Sequence, residues 1–463
     1  MMHPNQHPAA RQRRGLGRQV EDTDSYAFFN LLTGPGLLNA VEALLPDHRE
    51  RLFPPTETLS MFLAQVLSAD GSCRQAVDDA AVKRLVGGLE PCSANTSAYC
   101  QARTRLPTAM VSTLALQVGE IIAGQAPSWW HWQGRRVRLV DGATVTLADT
   151  EKNQQAYPQP SSQKPGLGFP LCRVVGLFCL GSGALLNAAT APCEGKGSDE
   201  QTLLRGMLDT LEAGDILLGD SFYPTYFLLC ELARRGIDGL FEQYGARKRR
   251  TDFGTGEKLG ARDHLIVYSK PKEKPEWMSQ DEYDRAPATL KVRELQAGGK
   301  IMVTTFLCPK EAPKNSLKIL YCSRWNVEVD LRNIKTTLGM EQLRCKTPEM
   351  AIKELWVYLL AYNLIRLLMA QSALLADQIP RQLSFKHTVQ VWLSWQQRGG
   401  DPRDGVCING LLILIAGPRV GLRPARVEPR ARKRRPKAYP LLTKPRPLAK
   451  EDILQNGHPK KQR

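Results

Sequence analysis

The sequence predicts an α/β fold, a mixed sheet covered by helices, with helical regions at either end and a β-rich insertion. Three observations carry this. Between residues 137 and 241, short apolar runs alternate with helical stretches in the order strand, strand, strand, helix, strand, helix, strand, which suits a sheet layered with helices. From 247 to about 317 that rhythm gives way to short strands between Gly, Pro and charged turns, the pattern of a β-rich segment. Before and after, apolar residues recur at helical spacing.

In chain order, residues 1–24 are polar and basic, with Arg11, Arg13, Arg14 and Arg18, and are expected to be disordered. Residues 25–130 read as a helical N-terminal domain, with helices over 58–67 and along 96–124. Arg103 and Arg105 in the second are candidate phosphate contacts, although two arginines on a helix ordinarily mark a solvated face. Residues 131–246 form the first part of the core. Here 137–140 is a strand running into Asp141-Gly142, with 144–147 as its continuation, and 153–169 is a Gln-, Pro- and Gly-rich loop. Residues 172–180 and 184–190 make a hairpin. Ser198-Asp199-Glu200 caps a helix to about Glu212, 216–218 is a buried strand closed by Gly219-Asp220, 223–235 is a helix and 237–241 a strand.

The insertion spans 247–319, with strands at 264–269, 289–295 and 301–307. Residues 320–418 supply the second part of the core and the C-terminal helices. Thr347-Pro348-Glu349 is a helix start, and 392–395 belongs to an amphipathic helix. The apolar stretch 355–375 is interrupted by Asn363 and Arg366, so it reads as a buried core helix and not a membrane span. The tail, 419–463, is basic and Pro-rich and is expected to be extended and mobile.

The chain carries 63 Lys+Arg against 46 Asp+Glu, a net charge of +17, so a polyanion is the expected partner, nucleic acid before an anionic membrane. Its 11 cysteines form no C-x-x-C pair and its 7 histidines are dispersed, which argues against a zinc site and for free thiols in a reducing compartment. The N-terminus has no apolar run of a secretory signal.

The chemistry rests on three acids. Asp141 and Asp220 each follow a predicted strand, at the end where α/β sheets bind ligands; either alone reads more readily as a turn or cap residue. Further on, Tyr321, Arg324, Glu328 and Lys335 fall within about 60° of one another on a helical wheel, beside a core stripe of Val327, Leu331, Ile334 and Leu338. Asp330 lies about 160° from Glu328 and is a poor substitute. Taken alone, this face also suits an Arg324–Glu328 ion pair on a solvated helix. Three carboxylates from two strand ends and a helix can together hold two divalent ions about 4 Å apart, the arrangement for in-line displacement at phosphorus. Oxygen-only ligands favour Mg²⁺, with Mn²⁺ as a substitute.

The spacing Y-x2-R-x3-E-x6-K at Tyr321, Arg324, Glu328 and Lys335 resembles the signature of the IS4 family of insertion-sequence transposases. The strand-DG at Asp141, the strand-GD at Asp220, the DGATVTLADT and YPQPSSQKPGLG segments and the KAYPLLTKPR tail are similar to that family as well. The resemblance runs from about residue 50 into the tail. It implies an RNase H-like core with a β-rich insertion before the Glu, and a DDE enzyme that cuts and joins DNA with two Mg²⁺ ions.

In that reading Asp141 bridges the ions, and Asp220 and Glu328 each complete one shell. Tyr321 and Arg324 hold the DNA strand, Lys335 meets a phosphate, and Trp325, bordering the same face, stacks on a base or packs in the core. Residue 221 is Ser where many relatives have Arg. The implied partners are the element's terminal inverted repeats and target DNA, with a homodimer in the synaptic complex, in the bacterial cytoplasm. Three other readings stand beside it: an RNase H-like nuclease that cuts without joining, a DNA-binding derivative that has lost catalysis, and a protein of the membrane surface.

Overall fold

The computed structural model describes residues 53, 55–68, 70–86, 88, 94–243, 251–397, 405–420 and 441–457. The basic N-terminus, the Arg247–Arg250 run and most of the basic tail lie outside these residues.

One nine-stranded sheet organises the molecule, in the order β3-β2-β1-β4-β5-β9-β8-β7-β6. Its first half comprises β1 (Val137–Thr146), β2 (Leu171–Cys179), β3 (Leu185–Pro192), β4 (Ile216–Gly219) and β5 (Asp238–Glu242). β1, β2 and β3 pair antiparallel, then β1–β4 and β4–β5 pair parallel. This is an RNase H-like mixed core. The insertion adds β6 (Glu257–Gly260), β7 (Asp263–Ser269), β8 (Thr289–Ala297) and β9 (Lys300–Thr304). β9 hydrogen-bonds antiparallel to β5, so the insertion prolongs the sheet. Within the insertion a buried pair ties β8 to β7: Arg293, fully buried, grips both oxygens of Asp263 at 2.7 and 2.6 Å.

The central strands are apolar because both their faces are covered. Alternate residues go to opposite sides: Leu139, Leu218 and Leu240 enter one core, while Val140, Leu217 and Phe241 enter the other. The first core lies under the helices Thr108–Gly124 and Pro348–Leu375, the second under Glu200–Arg205 and Tyr226–Arg234. The 28-residue helix Pro348–Leu375 starts at the Thr347 cap as expected. It is the one described helix long and apolar enough to span a membrane, and it is mostly buried in the protein. Its Asn363 is bonded to Leu185 and Ala115. The N-terminal helix Pro55–Leu67 contributes Leu59, Phe62 and Val66 to the same core.

Several expectations change. The continuation at 144–147 is present, but β1 is one unbroken strand to Thr146 with Asp141 inside it and not at its end, because β2 pairs with it along its whole length, Asp141 opposite Gly176. The helical stretch 96–124 is two helices, Ser97–Arg105 and Thr108–Gly124, bent by 70° at Leu106-Pro107, since proline disfavours helix in the residue before it. The loop 153–169 opens with a helix, Glu151–Ala156, capped by the Thr150 side chain. The helix from Glu200 ends at Arg205 and not at Glu212. Part of the tail is helical, Arg446–Asn456.

Candidate active site

The sheet register brings the first two acids together. Leu139 of β1 is level with Leu218 of β4. Asp141 is two residues beyond Leu139 and Asp220 two beyond Leu218, so the parallel pairing carries both toward the same edge, near enough for the Asp220 charge to act on Asp141. β4 ends at Gly219, and Asp220 turns into an Asx turn, its Oδ1 accepting from the Phe222 N–H at 2.8 Å. Asp141 stays in the strand and accepts from the Gly142 N–H at 2.8 Å.

The third acid arrives on the helix Trp325–Arg332. Arg324, at its N-terminal edge, connects the two ends of the site. Its guanidinium donates to Glu328 Oε1 at 2.8 Å and lies 3.5 Å from Asp141 Oδ2. The side chains of Asp141 and Arg324 are 18% and 15% exposed, that of Glu328 35%. One cation thus serves two carboxylates, with Asp220 beside them. Burial pushes the Asp141 carboxyl up to about 6, and the negative charges of Asp220 and Glu200 add to this against the opposing pull of the Gly142 N–H and Arg324.

The signature segment is not one uniform helix. The chain leaves the helix Lys314–Cys322 through a tight turn in which Arg324 N–H bonds to Tyr321 and Val327 N–H to Arg324, three residues back. Asn333–Thr337 then form a π turn, with Leu338 N–H reaching Asn333. Wheel angles drawn at a constant 100° therefore drift over these residues. Tyr321 is buried, and its hydroxyl points to Glu242 Oε2 at 3.4 Å; burial raises its pKa. Trp325 is 56% exposed, which excludes the reading as a packed core residue. Lys335 is half-buried within the π turn. Asp330 faces away, fully buried and paired with Arg366 and Arg381.

The two N-terminal arginines differ. Arg105 is exposed. Arg103 is buried, stacked over Phe62, with its guanidinium donating to the sulfurs of Cys73 and Cys345; it faces inward, away from any phosphate. The helix bends after Arg105, which turns one face into the core.

Two groups of this site escaped sequence reasoning. Glu200 lies against Gly142 and accepts from the Tyr223 hydroxyl at 3.1 Å. The only sequence signal was its position after a cap residue, which is ordinary for Glu. Glu242, at the end of β5, pairs with Lys300 at 2.5 Å.

The donor set is all oxygen, which suits a hard divalent cation. Among the described residues no three His, Cys, Asp or Glu side chains converge closely enough to hold an ion as they stand. The Arg324 guanidinium lies between Asp141 and Glu328.

Comparison with known proteins decides the family: the transposase DDE domain matches residues 132–364. The chain belongs to the DDE transposases. Their domain begins just before β1 and ends within the helix Pro348–Leu375, so it takes in all three acids, the insertion and the signature segment. The transposase is 28% identical over 358 residues to transposase InsG for insertion sequence element IS4 of Escherichia coli (strain K12), covering 75% of this chain and 78% of that protein. It is 32% identical over 143 residues to the putative transposase InsZ of the same organism, covering 31% and 47%. It is accordingly an IS4-family enzyme that cleaves DNA and transfers strands, of a class that uses divalent metal ions. The piggyBac transposase in its synaptic complex with hairpin DNA aligns over 85% of each chain at a TM-score of 0.44 and 8% identity, too distant a likeness to bear on the assignment.

Proposed function

We propose that this chain is the transposase of a bacterial insertion sequence, acting in the cytoplasm. It binds the element's terminal inverted repeats as a homodimer, cuts phosphodiester bonds there and joins the 3′ ends to target DNA. Asp141, Asp220 and Glu328 are the ligands for two Mg²⁺ ions. The observation that carries this is the bridge of Arg324 between Asp141 and Glu328, beside Asp220: acids remote in sequence share one partly open site with too little positive charge to balance them. Bound there, the ions supply an activated oxygen nucleophile and a stabilised leaving oxygen.

This chain's own groups do the rest. Arg324, released from the carboxylates, grips two phosphate oxygens with its planar fork. Tyr321 supports that end of the helix through Glu242. Trp325 offers an exposed ring to an unpaired base, and Lys335 and Arg105 meet backbone phosphates.

The test uses the full-length protein and DNA carrying the element ends. Cleavage and strand transfer are expected in Mg²⁺ and absent in EDTA. Asp141→Asn is expected to retain end binding and lose cleavage. Cleavage by Asp141→Asn at the rate of the unaltered protein overturns the assignment, and cutting without joining points to a nuclease.

A further inference from the structure

The segment after Asp141 poses a question of its own. Asp-Gly is a common turn signal, yet here Gly142 sits inside β1, paired with Val175. It is not among the glycines with positive φ, so the backbone does not require glycine. Space does. A Cβ added at 142 would stand 2.3 Å from Glu200 Oε1 and 2.8 Å from Oε2. The missing side chain is filled by the carboxylate of Glu200.

That carboxylate is held from the other side as well. Tyr223, fully buried and three residues after Asp220, donates its hydroxyl to Glu200 Oε2 at 3.1 Å. Glu200 is therefore fixed between the segment that carries Asp141 and the segment that carries Asp220. Among the described residues no donor reaches its Oε1, and it makes no ion pair. A carboxylate carried into a half-buried place with no cation in direct contact costs folding free energy, which the more distant charge of Arg173 offsets only in part. The first turn of a six-residue helix compensates only in part.

We propose that Glu200 is a fourth carboxylate of the metal-binding centre, oriented by the Tyr223 hydroxyl and accommodated by Gly142. The inference rests on the reading of Asp141, Asp220 and Glu328 as metal ligands. Its chemistry is that of a hard oxygen donor toward the same divalent ions, with Oε2 committed to Tyr223 and Oε1 left for the cation or for its bound water. Tyr223 is in this account a positioning residue, since it acts through Glu200.

The experiment is a Mn²⁺ titration of the full-length protein without DNA, followed by electron paramagnetic resonance, with thermal unfolding in EDTA measured in parallel. Glu200→Gln keeps the shape and the Tyr223 contact while removing the charge. It is expected to weaken Mn²⁺ binding about tenfold or more with no loss of melting temperature in EDTA. Gly142→Ala, which displaces the carboxylate, is expected to weaken Mn²⁺ binding too, and Tyr223→Phe to do so by a smaller factor.

Unchanged Mn²⁺ affinity in Glu200→Gln, with binding lost in Asp141→Asn, overturns the role of Glu200 alone. Unchanged affinity in both variants overturns the underlying reading of the site. A lower melting temperature with unchanged affinity would make Glu200 an anchor for Tyr223 and overturn the proposal. Should Glu200→Gln not fold, Glu200→Asp, which keeps the charge and shortens the reach, carries the same titration with the same two outcomes.

Discussion

Glu328 and Asp330 lie two residues apart on one helix, and their surroundings are opposite. Asp330 is fully buried and one of its oxygens meets two guanidinium groups, Arg366 at 2.5 Å and Arg381 at 2.6 Å. Glu328 is about a third exposed and shares its single partner, Arg324, with Asp141. On the inner side cations outnumber acids, and the pair locks the helix to Pro348–Leu375 and to the short turn Pro380–Gln382. On the outer side Asp141 and Glu328 share one guanidinium, and the charges of Asp220 and Glu200 bear on Asp141 as well. The ratio of acid to base, more than burial alone, separates a carboxylate that holds the fold from one proposed as a metal ligand.

The largest effect that would sharpen this contrast is on stability. Asp330→Ala leaves two buried guanidinium groups unpaired and should cost about 3–5 kcal/mol, read from urea unfolding. Glu328→Gln should stay within about 1 kcal/mol of the unaltered protein, because its pair is partly solvated. The reverse order would break the comparison.

Next comes the cation of the outer site. Arg324→Lys keeps the charge and loses the fork, and it is expected to slow single-turnover cleavage of a pre-bound end by about a hundredfold. A loss of only a few-fold would make Arg324 a helix ion pair and nothing more.

The surplus of acid also has a pH signature. The Asp141 carboxyl is pushed up from 3.8 to about 6, chiefly by burial. Its protonated form is therefore favoured in the folded state. The native state loses stability as pH rises from about 3.8 through 6, and the penalty is complete above that window. Asp141→Asn should stabilise the metal-free protein by about 2 kcal/mol at pH 7.5, after allowance for residual solvation, with the gain vanishing toward pH 4. Equal stability of the two proteins at both pH values would contradict the cause assigned here. The smallest effect belongs to Lys335→Arg, expected to alter the cleavage rate by no more than about threefold, since one cation on a phosphate replaces another.

Much of this was legible in the chain. Parallel central strands buried on both faces appear as short unbroken apolar runs, and 216–218 and 237–241 were readable for that reason. The signature spacing pointed to Arg324 and Glu328 because turns of one helix are local. What stayed hidden depends on distant partners. β1 passes through Asp141-Gly142 because β2 pairs with it, and no local signal separates a strand glycine from a turn glycine. Glu200 acquires its surroundings from Gly142, inside β1, and Tyr223, in the segment after β4. Arg103 looked like a surface cation, but its neighbours include Cys345, 242 positions along the chain. The turn before Glu328 and the π turn after it depart from 100° per residue, so a constant helical wheel does not carry from Tyr321 to Lys335.

The position of the helix Pro348–Leu375 in the order of synthesis has a consequence for how the protein is made. This helix packs against Thr108–Gly124 and Pro55–Leu67, which leave the ribosome more than two hundred residues earlier, and against Phe385–Gln397 and Gly405–Ala416, which follow it. Until it emerges, one face of the central sheet has Thr108–Gly124 but lacks its longest covering helix. Fast local folding can complete the side under Tyr226–Arg234 while the other side waits. A nascent chain halted before residue 348 would therefore present an incomplete core, a natural target for chaperones and proteases, although it already carries Asp141, Asp220 and Glu328.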